Sequence, residues 1–318
     1  MVVGSMLHIN GKPTVHFSCK SNHDRPSYIP KPTAVKMTTI TTTTTITTAP
    51  SILQPYWASL QADIEAHLKH VMPYKDPLVV FEPMHHLVFS APRTTVPALC
   101  LAAGELLSGD RHQAMAAASA LVLLLAANHT HEQIPSKPKS KPKPMSRPKS
   151  KTMSFRAFSP GIELMTGDGL IPFGFELLSG SCDSVQENSD RVLRVIIEIS
   201  RAMGSKGLID AQYKKILLSE SDGEESCHVE RIMDIMEKNE GGLHACGASC
   251  GAVLGGGSEE EIERLRKFGF YVGMIQGMVN EGFWEEVEVV KDLAFKELQY
   301  FKDNNRDVDA ISSFIIHV

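Results

Sequence analysis

The chain has 318 residues, of which 42% are hydrophobic and 22% charged, and a formal net charge of −5. This composition suits one sizeable folded domain or two small ones, and it excludes a chain that is disordered throughout. The longest apolar run, residues 114–127, has fourteen residues and includes Ser119, so it predicts a buried core helix rather than a membrane span. We therefore expect the protein not to be an integral membrane protein.

The charge is unevenly distributed along the chain. Residues 1–50 contain five basic residues and one acid, and residues 136–151 contain seven basic residues and no acid. The rest of the chain carries 20 basic and 36 acidic residues, which gives it a net charge of −16. A strongly acidic body is a poor surface for nucleic acid, and we expect none as a partner.

The first 50 residues have the composition of an organelle transit peptide. They contain eleven Thr, four Ser and one acid, and they lack the apolar segment of a secretory signal. A disordered tail without a targeting role is the alternative. We treat residues 1–50 as a transit peptide or disordered segment and residues 51–318 as the folded domain.

From Pro55 onward, apolar residues recur at helical spacing. The pattern predicts helices from Pro55 to the break at Pro73 and over residues 98–107, 113–131, 163–179, 190–203, 228–235, 243–254 and 258–279, with a short apolar segment at 81–88. Ser258 before three glutamates and Asp190 after a serine are helix N-cap signals. Few stretches alternate with a period of two, so we predict an all-α bundle.

Residues 136–151 interrupt this pattern with alternating Pro and Lys. The composition predicts a solvated, partly polyproline loop. A polybasic site for nucleic acid or a membrane is the alternative, but the segment contains no aromatic residue on which a base could stack.

Three segments resemble helices shared by the trans-isoprenyl diphosphate synthases, namely residues 164–176, 200–212 and 251–269. The similarity keeps its order from about residue 56 to residue 279. The resemblance implies the all-α isoprenoid synthase bundle. It also implies two facing aspartate-rich motifs whose carboxylates hold the Mg²⁺ ions that ionise an allylic diphosphate.

Both motifs that this resemblance implies are degenerate. Glu132 and Gln133 stand at the first one, and Asn280 and Glu281 stand at the second. One carboxylate at each position is too few for the expected metal cluster. We therefore predict no metal site and no catalytic residue in this chain.

The substrate-binding positions implied by the resemblance are altered as well. Only Arg93 remains of a basic signature that binds the homoallylic diphosphate, and Asn239-Glu240 replaces a Lys-Thr pair. An acid thus stands where a diphosphate needs a cation.

The six cysteines are too few for a disulfide scaffold and form no CxxC framework, which favours a reducing compartment. Cys246 and Cys250 are four residues apart, so both thiols lie on one face of a helix. Two small residues in a buried helix contact are one explanation. A CxxxC pair in a degenerate synthase homologue also resembles the small subunits of heterodimeric plant geranyl and geranylgeranyl diphosphate synthases.

That closer resemblance implies that Cys100, Cys246 and Cys250 contribute to binding a large catalytic subunit. A first CxxxC motif is half lost, because Gly104 stands where its second cysteine is expected. Glycine weakens a helix and removes a packing side chain, so partner affinity or choice is in question.

The resemblance implies a non-catalytic subunit that binds a catalytic geranylgeranyl diphosphate synthase in the plastid and changes its activity or product length. Such a chain needs no cofactor of its own, because Mg²⁺ belongs to the partner. One alternative is a weakly active Mg²⁺-dependent prenyltransferase that uses Glu132 and Glu281. Another is a zinc or redox site formed by the cysteine pair, with His244 nearby. The sequence leaves open whether geranyl or geranylgeranyl diphosphate is favoured, and with which large subunit.

Overall fold

The computed structural model describes residues 5–7, 15–17, 53–134, 157–181, 186–220 and 228–316. The chain forms two units, Met1–Gln54 and Pro55–Val318. The first contains two short antiparallel strands, β1 (Ser5–Leu7) and β2 (Val15–Phe17), which the sequence pattern does not predict. The rest of the proposed transit peptide, residues 1–50, and the basic segment 136–151 lie outside the described residues.

The second unit is a helical bundle. Its first helix begins at Leu53, two residues before the boundary at Pro55. The helices are α1 (Leu53–Val71), α2 (Leu78–Ser90), α3 (Val96–Ser108), α4 (Met115–Gln133), α5 (Pro160–Gly180), α6 (Gln186–Met203), α7 (Leu208–Glu220), α8 (His228–Met236), α9 (Gly242–Leu254), α10 (Glu259–Glu281), α11 (Trp284–Asp303) and α12 (Asp309–Ile316). A 3₁₀ turn precedes α4, and a π-helical turn, Glu237–Gly241, joins α8 to α9. The all-α prediction is confirmed.

The helix ends follow local sequence signals in part. At the start of α10, the Ser258 hydroxyl accepts from the Glu261 amide at 3.3 Å, and the Glu261 carboxylate accepts from the Ser258 amide at 2.8 Å. This capping box satisfies two amides that a helix leaves unpaired. The N-cap prediction at Asp190 is wrong, because α6 already begins at Gln186.

Helix α9 lies at the centre of the bundle, where it packs against α3, α6 and α10. Eleven of its thirteen residues are buried. Its small side chains let the neighbouring helices approach closely. The apolar surface that these helices share is therefore the main core of the domain.

Helix α4 is also largely buried and packs between α3 and α5. Together with the turn before it, it is the one helical segment within the described ranges that is long and apolar enough to cross a membrane, but 67% of its apolar window is buried inside the protein. Burial of this kind is typical of a core helix.

Candidate functional site

The carboxylate at the first degenerate motif lies in the last turn of α4. Glu132 accepts hydrogen bonds from Asn128 Nδ2, at 2.9 Å, and from Gln212 Nε2 on α7. Gln133 ends the helix and adds an amide without charge. A Mg²⁺ site needs a nearly ideal set of oxygen ligands, so one carboxylate already bonded to two amides is a poor basis for such a site.

The π-helical turn Glu237–Gly241 carries acids where the resemblance implies a base, and π-helical distortions are frequent at functional sites. Burial raises the pKa of Glu240, with Lys215 lowering it and Glu132 raising it. Burial also raises the pKa of Glu237, to about 7. These carboxyl groups would repel a diphosphate when they are ionised and would offer it no cation when they are neutral.

The second degenerate motif ends α10, where Glu281 is exposed and follows Asn280 directly. Upstream, α10 approaches the π-helical turn so closely that a methyl group on Gly277 would lie 2.5 Å from Met236 Cγ and 3.2 Å from Glu240 Cγ. In the part of the chain that the structure describes, no group of three or more His, Cys, Asp or Glu residues could hold a metal ion. The residues present do not fit the Mg²⁺ cluster that catalytic relatives require.

Arg93, the remaining base of the substrate signature, lies in the loop between α2 and α3. Its side chain is 71% exposed and pairs with Glu65 at 3.1 Å, and Glu65 also pairs with Lys69 at 2.6 Å. A solvated cation that shares a carboxylate with a second base is a weak anion site. The structure thus assembles no diphosphate clamp around Arg93.

A buried polar network that the sequence analysis does not predict links α3, α9 and α10. His244 is 2% exposed and contacts the Thr95 hydroxyl through Nε2 and the Glu240 carbonyl oxygen, at 2.7 Å, through Nδ1. The Thr95 hydroxyl also lies 3.0 Å from the side-chain amide of Gln276. The network holds the α2–α3 junction to the centre of the bundle.

One arrangement of protons satisfies this network. Burial lowers the pKa of His244 to about 4, so the ring is neutral and carries one proton. If Nδ1–H donates to the Glu240 carbonyl, the single Thr95 proton has to be donated to Nε2. The Gln276 amide must then present its nitrogen to Thr95, which a flip of the amide allows. Both nitrogens of His244 are occupied, so this ring does not complete a zinc site with the cysteines.

The cysteines predicted to bind a partner lie inside the chain. The exposed fractions of Cys100, Cys246 and Cys250 are 0%, 3% and 0%. All three are free thiols, and the two sulfur atoms on α9 lie 3.8 Å apart. Burial raises the pKa of Cys100, and the contact with Cys246 followed by burial raises the pKa of Cys250. Cys100 and Cys250 are therefore protonated packing groups rather than reactive thiols.

The contact between α3 and α9 also explains the glycine that replaces a cysteine. Gly247 and Gly251 on α9, and Gly255 directly after it, face α3. A methyl group on Gly255 would lie 2.9 Å from the Gly104 carbonyl oxygen, and one on Gly251 would lie 3.0 Å from the Gly104 amide nitrogen. A side chain on Gly104 would itself meet Ala114 Cβ at 3.0 Å. A second cysteine at position 104 would therefore crowd a contact that depends on close backbones.

This arrangement changes how the cysteines can act. The resemblance implies that the cysteines contribute to binding the partner, but in the bundle the α9 thiols lie against α3 of the same chain. A role for Cys100, Cys246 and Cys250 in partner binding stays a prediction. It would act through the position of α3 and α9 rather than through contact between the thiols and another chain.

No protein-family model matches the chain. Over 82% of its length, the chain is 46% identical to the chloroplastic small subunit 2 of heterodimeric geranylgeranyl pyrophosphate synthase from Cannabis sativa, of which the match covers 90%. The chain belongs to this small-subunit family. The family resemblance read from the motifs is confirmed.

Solved structures related to the small-subunit family show the same fold. A chain of heterotetrameric geranyl pyrophosphate synthase from mint, crystallised as a deletion mutant with ligands, is 43% identical, with a TM-score of 0.70 and coverage of 82% of this chain and 99% of that chain. The geranyl diphosphate synthase small subunit from Antirrhinum majus is 47% identical, with a TM-score of 0.68 and coverage of 79% and 94%. The isoprenoid synthase-type bundle is therefore confirmed.

Some residues of the site escape sequence reasoning even with the small-subunit family as a guide. The sequence suggests a role for His244 only in a zinc site, and it suggests no role for Thr95 or Gln276. Gln276 interrupts an otherwise apolar stretch of α10, and a lone polar residue in such a stretch usually has a buried partner. The partner itself lies on a distant helix and leaves no local signal.

Proposed function

We propose that this chain is a non-catalytic regulatory subunit of plastid isoprenoid biosynthesis. It binds a catalytic geranylgeranyl diphosphate synthase and changes that enzyme's activity and its product length between geranyl and geranylgeranyl diphosphate. The proposal rests on one combination: a member of the small-subunit family carries half-buried acids at the turn where the resemblance implies a cation for the substrate. The relatives are named chloroplastic, which supports the plastid as the compartment.

The chain needs no cofactor of its own in this role, because Mg²⁺ and the aspartates that hold it belong to the large subunit. Glu132 is bonded to two amides, and Glu281 is exposed at a helix end. The described residues therefore favour a subunit without catalysis over a weakly active Mg²⁺-dependent prenyltransferase.

We assign the docking of the large subunit to the outer face of α5. Large apolar side chains are exposed there, namely Ile162 (41%), Leu164 (44%), Met165 (76%) and Ile171 (37%). Helix α5 contains no Lys or Arg, and its exposed acids are Asp168 and Glu176. Because the centres of protein interfaces are depleted in charge, these two acids would lie at the polar rim of the contact. The opposite side of α5 packs closely on α4, since a methyl group on Gly174 would lie 3.5 Å from the Ala120 carbonyl oxygen. The exposed face is thus held on the rigid part of the bundle.

Co-expression with a catalytic plastid synthase tests the proposal. The two chains should elute together in size-exclusion chromatography, and the complex should differ from the large subunit alone in rate or in the ratio of geranyl to geranylgeranyl diphosphate. Met165→Glu should abolish co-elution, because a carboxylate would be buried in the interface.

The matched control is Trp284→Glu, which changes an equally apolar residue, 64% exposed, on α11. It should leave co-elution intact. The proposed function would be contradicted if the large subunit did not bind the wild-type chain and if the wild-type chain did not change the products of the large subunit. Binding that survives Met165→Glu would contradict only the assignment to α5.

A further inference from the structure

An open pocket of about 380 Å³ lies between α1, α4 and α5. Ligand pockets usually have volumes of about 300–1,000 Å³, so this one suits a single large side chain or a small molecule. Its apolar walls come from Val71, Phe173 and Leu177. Two polar side chains also line it, His67 from α1 and Glu176 from α5, whereas no Lys or Arg among the described residues does. We call it the α5 pocket.

A buried serine fixes which nitrogen of His67 carries the proton. The Ser119 hydroxyl on α4 is 0% exposed and lies 2.8 Å from His67 Nδ1. It makes no other hydrogen bond with the described residues, and a buried hydroxyl needs an acceptor for its proton, so it donates to Nδ1. Burial lowers the pKa of His67, as do His70 and His112, so the ring is neutral and its own proton lies on Nε2. The polar group that the ring offers to the pocket is therefore an N–H donor.

The α5 pocket thus combines a hydrogen-bond donor and an acceptor with apolar walls. The carboxylate of Glu176 accepts hydrogen bonds, whereas Nε2–H of His67 donates one. An arginine side chain would satisfy Glu176 but would offer no acceptor to His67, and a phenylalanine side chain would leave both without a partner. A tyrosine side chain matches the whole set, because its ring is apolar and its hydroxyl both accepts and donates.

The α5 pocket continues the face of α5 that we assign to the large subunit. Glu176 follows Met165 by eleven residues, which is about three helical turns, so both lie on the same side of the helix. The distance along the axis is about 16 Å, which falls within a standard interface of about 800 Å² per partner. A large subunit docked on this face therefore reaches the pocket at the rim of the contact.

We propose that the α5 pocket binds a tyrosine side chain of the large subunit. The tyrosine ring packs against Phe173 and Leu177, and its hydroxyl accepts from His67 and donates to Glu176. This inference rests on the proposed function, because the large subunit supplies the tyrosine. It adds to the exposed apolar face of α5 a site that selects one kind of side chain.

Filling the α5 pocket from within the chain tests the inference. Gly180 also lines the pocket, and a methyl group there would meet nothing within 4 Å, so Gly180→Leu should fill the pocket without moving α5. The affinity of the full chain for the large subunit should fall by roughly tenfold or more, as expected for the loss of an interface anchor. The matched control is Ala66→Leu, which adds the same side chain at an exposed position on α1 outside the pocket and should leave the affinity unchanged.

Small-molecule analogues test the kind of side chain that the pocket selects. The probes are p-cresol for tyrosine, toluene for phenylalanine and propylguanidine for arginine, each titrated into the isolated full chain. In nuclear magnetic resonance spectra, p-cresol should shift the ring signals of His67 at a roughly tenfold lower concentration than toluene, because its hydroxyl adds two hydrogen bonds. Gly180→Leu should abolish this shift.

Three results would overturn the inference. Gly180→Leu could bind the large subunit as tightly as Ala66→Leu does, toluene could bind as tightly as p-cresol, or propylguanidine could bind more tightly than p-cresol. None of these three results contradicts the proposed function. A wild-type chain that binds no large subunit would contradict both.

Discussion

Replacing Gly251 with alanine should open the contact between α3 and α9. The new methyl group would overlap the carbonyl oxygen of Cys100. It would also lie 2.9 Å from the carbonyl carbon of Cys100 and 3.0 Å from the amide nitrogen of Gly104. Both are backbone atoms, which cannot turn aside, and carbon contacts are normally about 3.5–4.0 Å long, so the helices would have to separate by roughly 1 Å. Overpacking of this kind costs about 1–3 kcal/mol.

We expect the cost of Gly251→Ala to lie at the upper end of this range, near 3 kcal/mol, because other contacts between the two helices are disturbed as well. Moving α9 away from α3 also loosens the contacts that Gly247 and Gly255 make with α3. The intrinsic preference of alanine for helix, about 0.5–1 kcal/mol over glycine, offsets only part of this loss. The net fall in the free energy of unfolding should be about 2–3 kcal/mol.

Urea unfolding followed by far-ultraviolet circular dichroism measures this change. With a slope of about 1–3 kcal/mol per molar urea, the midpoint should fall by roughly 1 M. Gly169→Ala is the matched control, because a methyl group there meets nothing within 4 Å and the helical preference of alanine should raise stability slightly. If Gly251→Ala unfolds at the same urea concentration as Gly169→Ala or later, the close approach of the two backbones does not hold the core together.

Other perturbations probe the remaining parts of the molecule. The isolated chain should convert no isopentenyl diphosphate with any allylic partner in Mg²⁺, because transition-state stabilisation by metal is worth several kcal/mol, and turnover that Glu281→Ala abolishes would contradict this. Joint replacement of Cys246 and Cys250 by serine should lower stability by roughly 1–3 kcal/mol, since buried hydroxyls would lack partners, whereas reductant should leave wild-type partner binding unchanged. As the pH falls from 6.5 towards 4, His244 takes up a proton in the unfolded chain but stays neutral in the folded chain. Its lowered pKa should therefore reduce the free energy of unfolding by about 3 kcal/mol over this range. Glu237, whose pKa is raised to about 7, takes up its proton more readily in the folded chain, so it adds stability as the pH falls from 7 to 4.5. Glu237→Gln removes this effect and should enlarge the fall in the free energy of unfolding between pH 7 and pH 5, measured by urea unfolding. A fusion of residues 1–60 to a fluorescent protein should enter plastids and lose about 50 residues, and a fusion retained in the cytosol would refute the transit peptide.

The helices with one apolar side are predictable from sequence, and α10 with its capping box at Ser258 is the clearest case. Helix α7 is not predicted, because it carries apolar residues on both sides. Leu208 faces the core while Ile209 and Tyr213 face solvent, so the apolar period that identifies a surface helix is lost. Helices α11 and α12 lie beyond residue 279, where the motif resemblance ends.

The candidate site, too, is only partly predictable from the sequence. The degenerate motifs are local, so positions such as Glu132 and Glu281 can be identified from a short stretch of sequence. The surroundings of Cys246 and Cys250 cannot, because a spacing of four shows that two thiols share a helix face but not which neighbour covers it. Helix α9 has neighbours on several sides, and only the assembled bundle shows that the thiols lie near Cys100 on α3 and that Cys250 also lies near Glu198 on α6.

The pairing of α3 with α9 joins parts of the chain that are synthesised far apart. Thr95 and His244 touch although they lie 149 positions apart in the sequence, and ten residues of α3 become buried in the finished bundle. Contacts of such long sequence separation slow folding, and the uncovered apolar helix is prone to aggregate in the meantime. A polypeptide threaded through a membrane from its N-terminus cannot complete this core until residue 254 has crossed, so α3 stays uncovered on the arrival side while residues 109–254 follow.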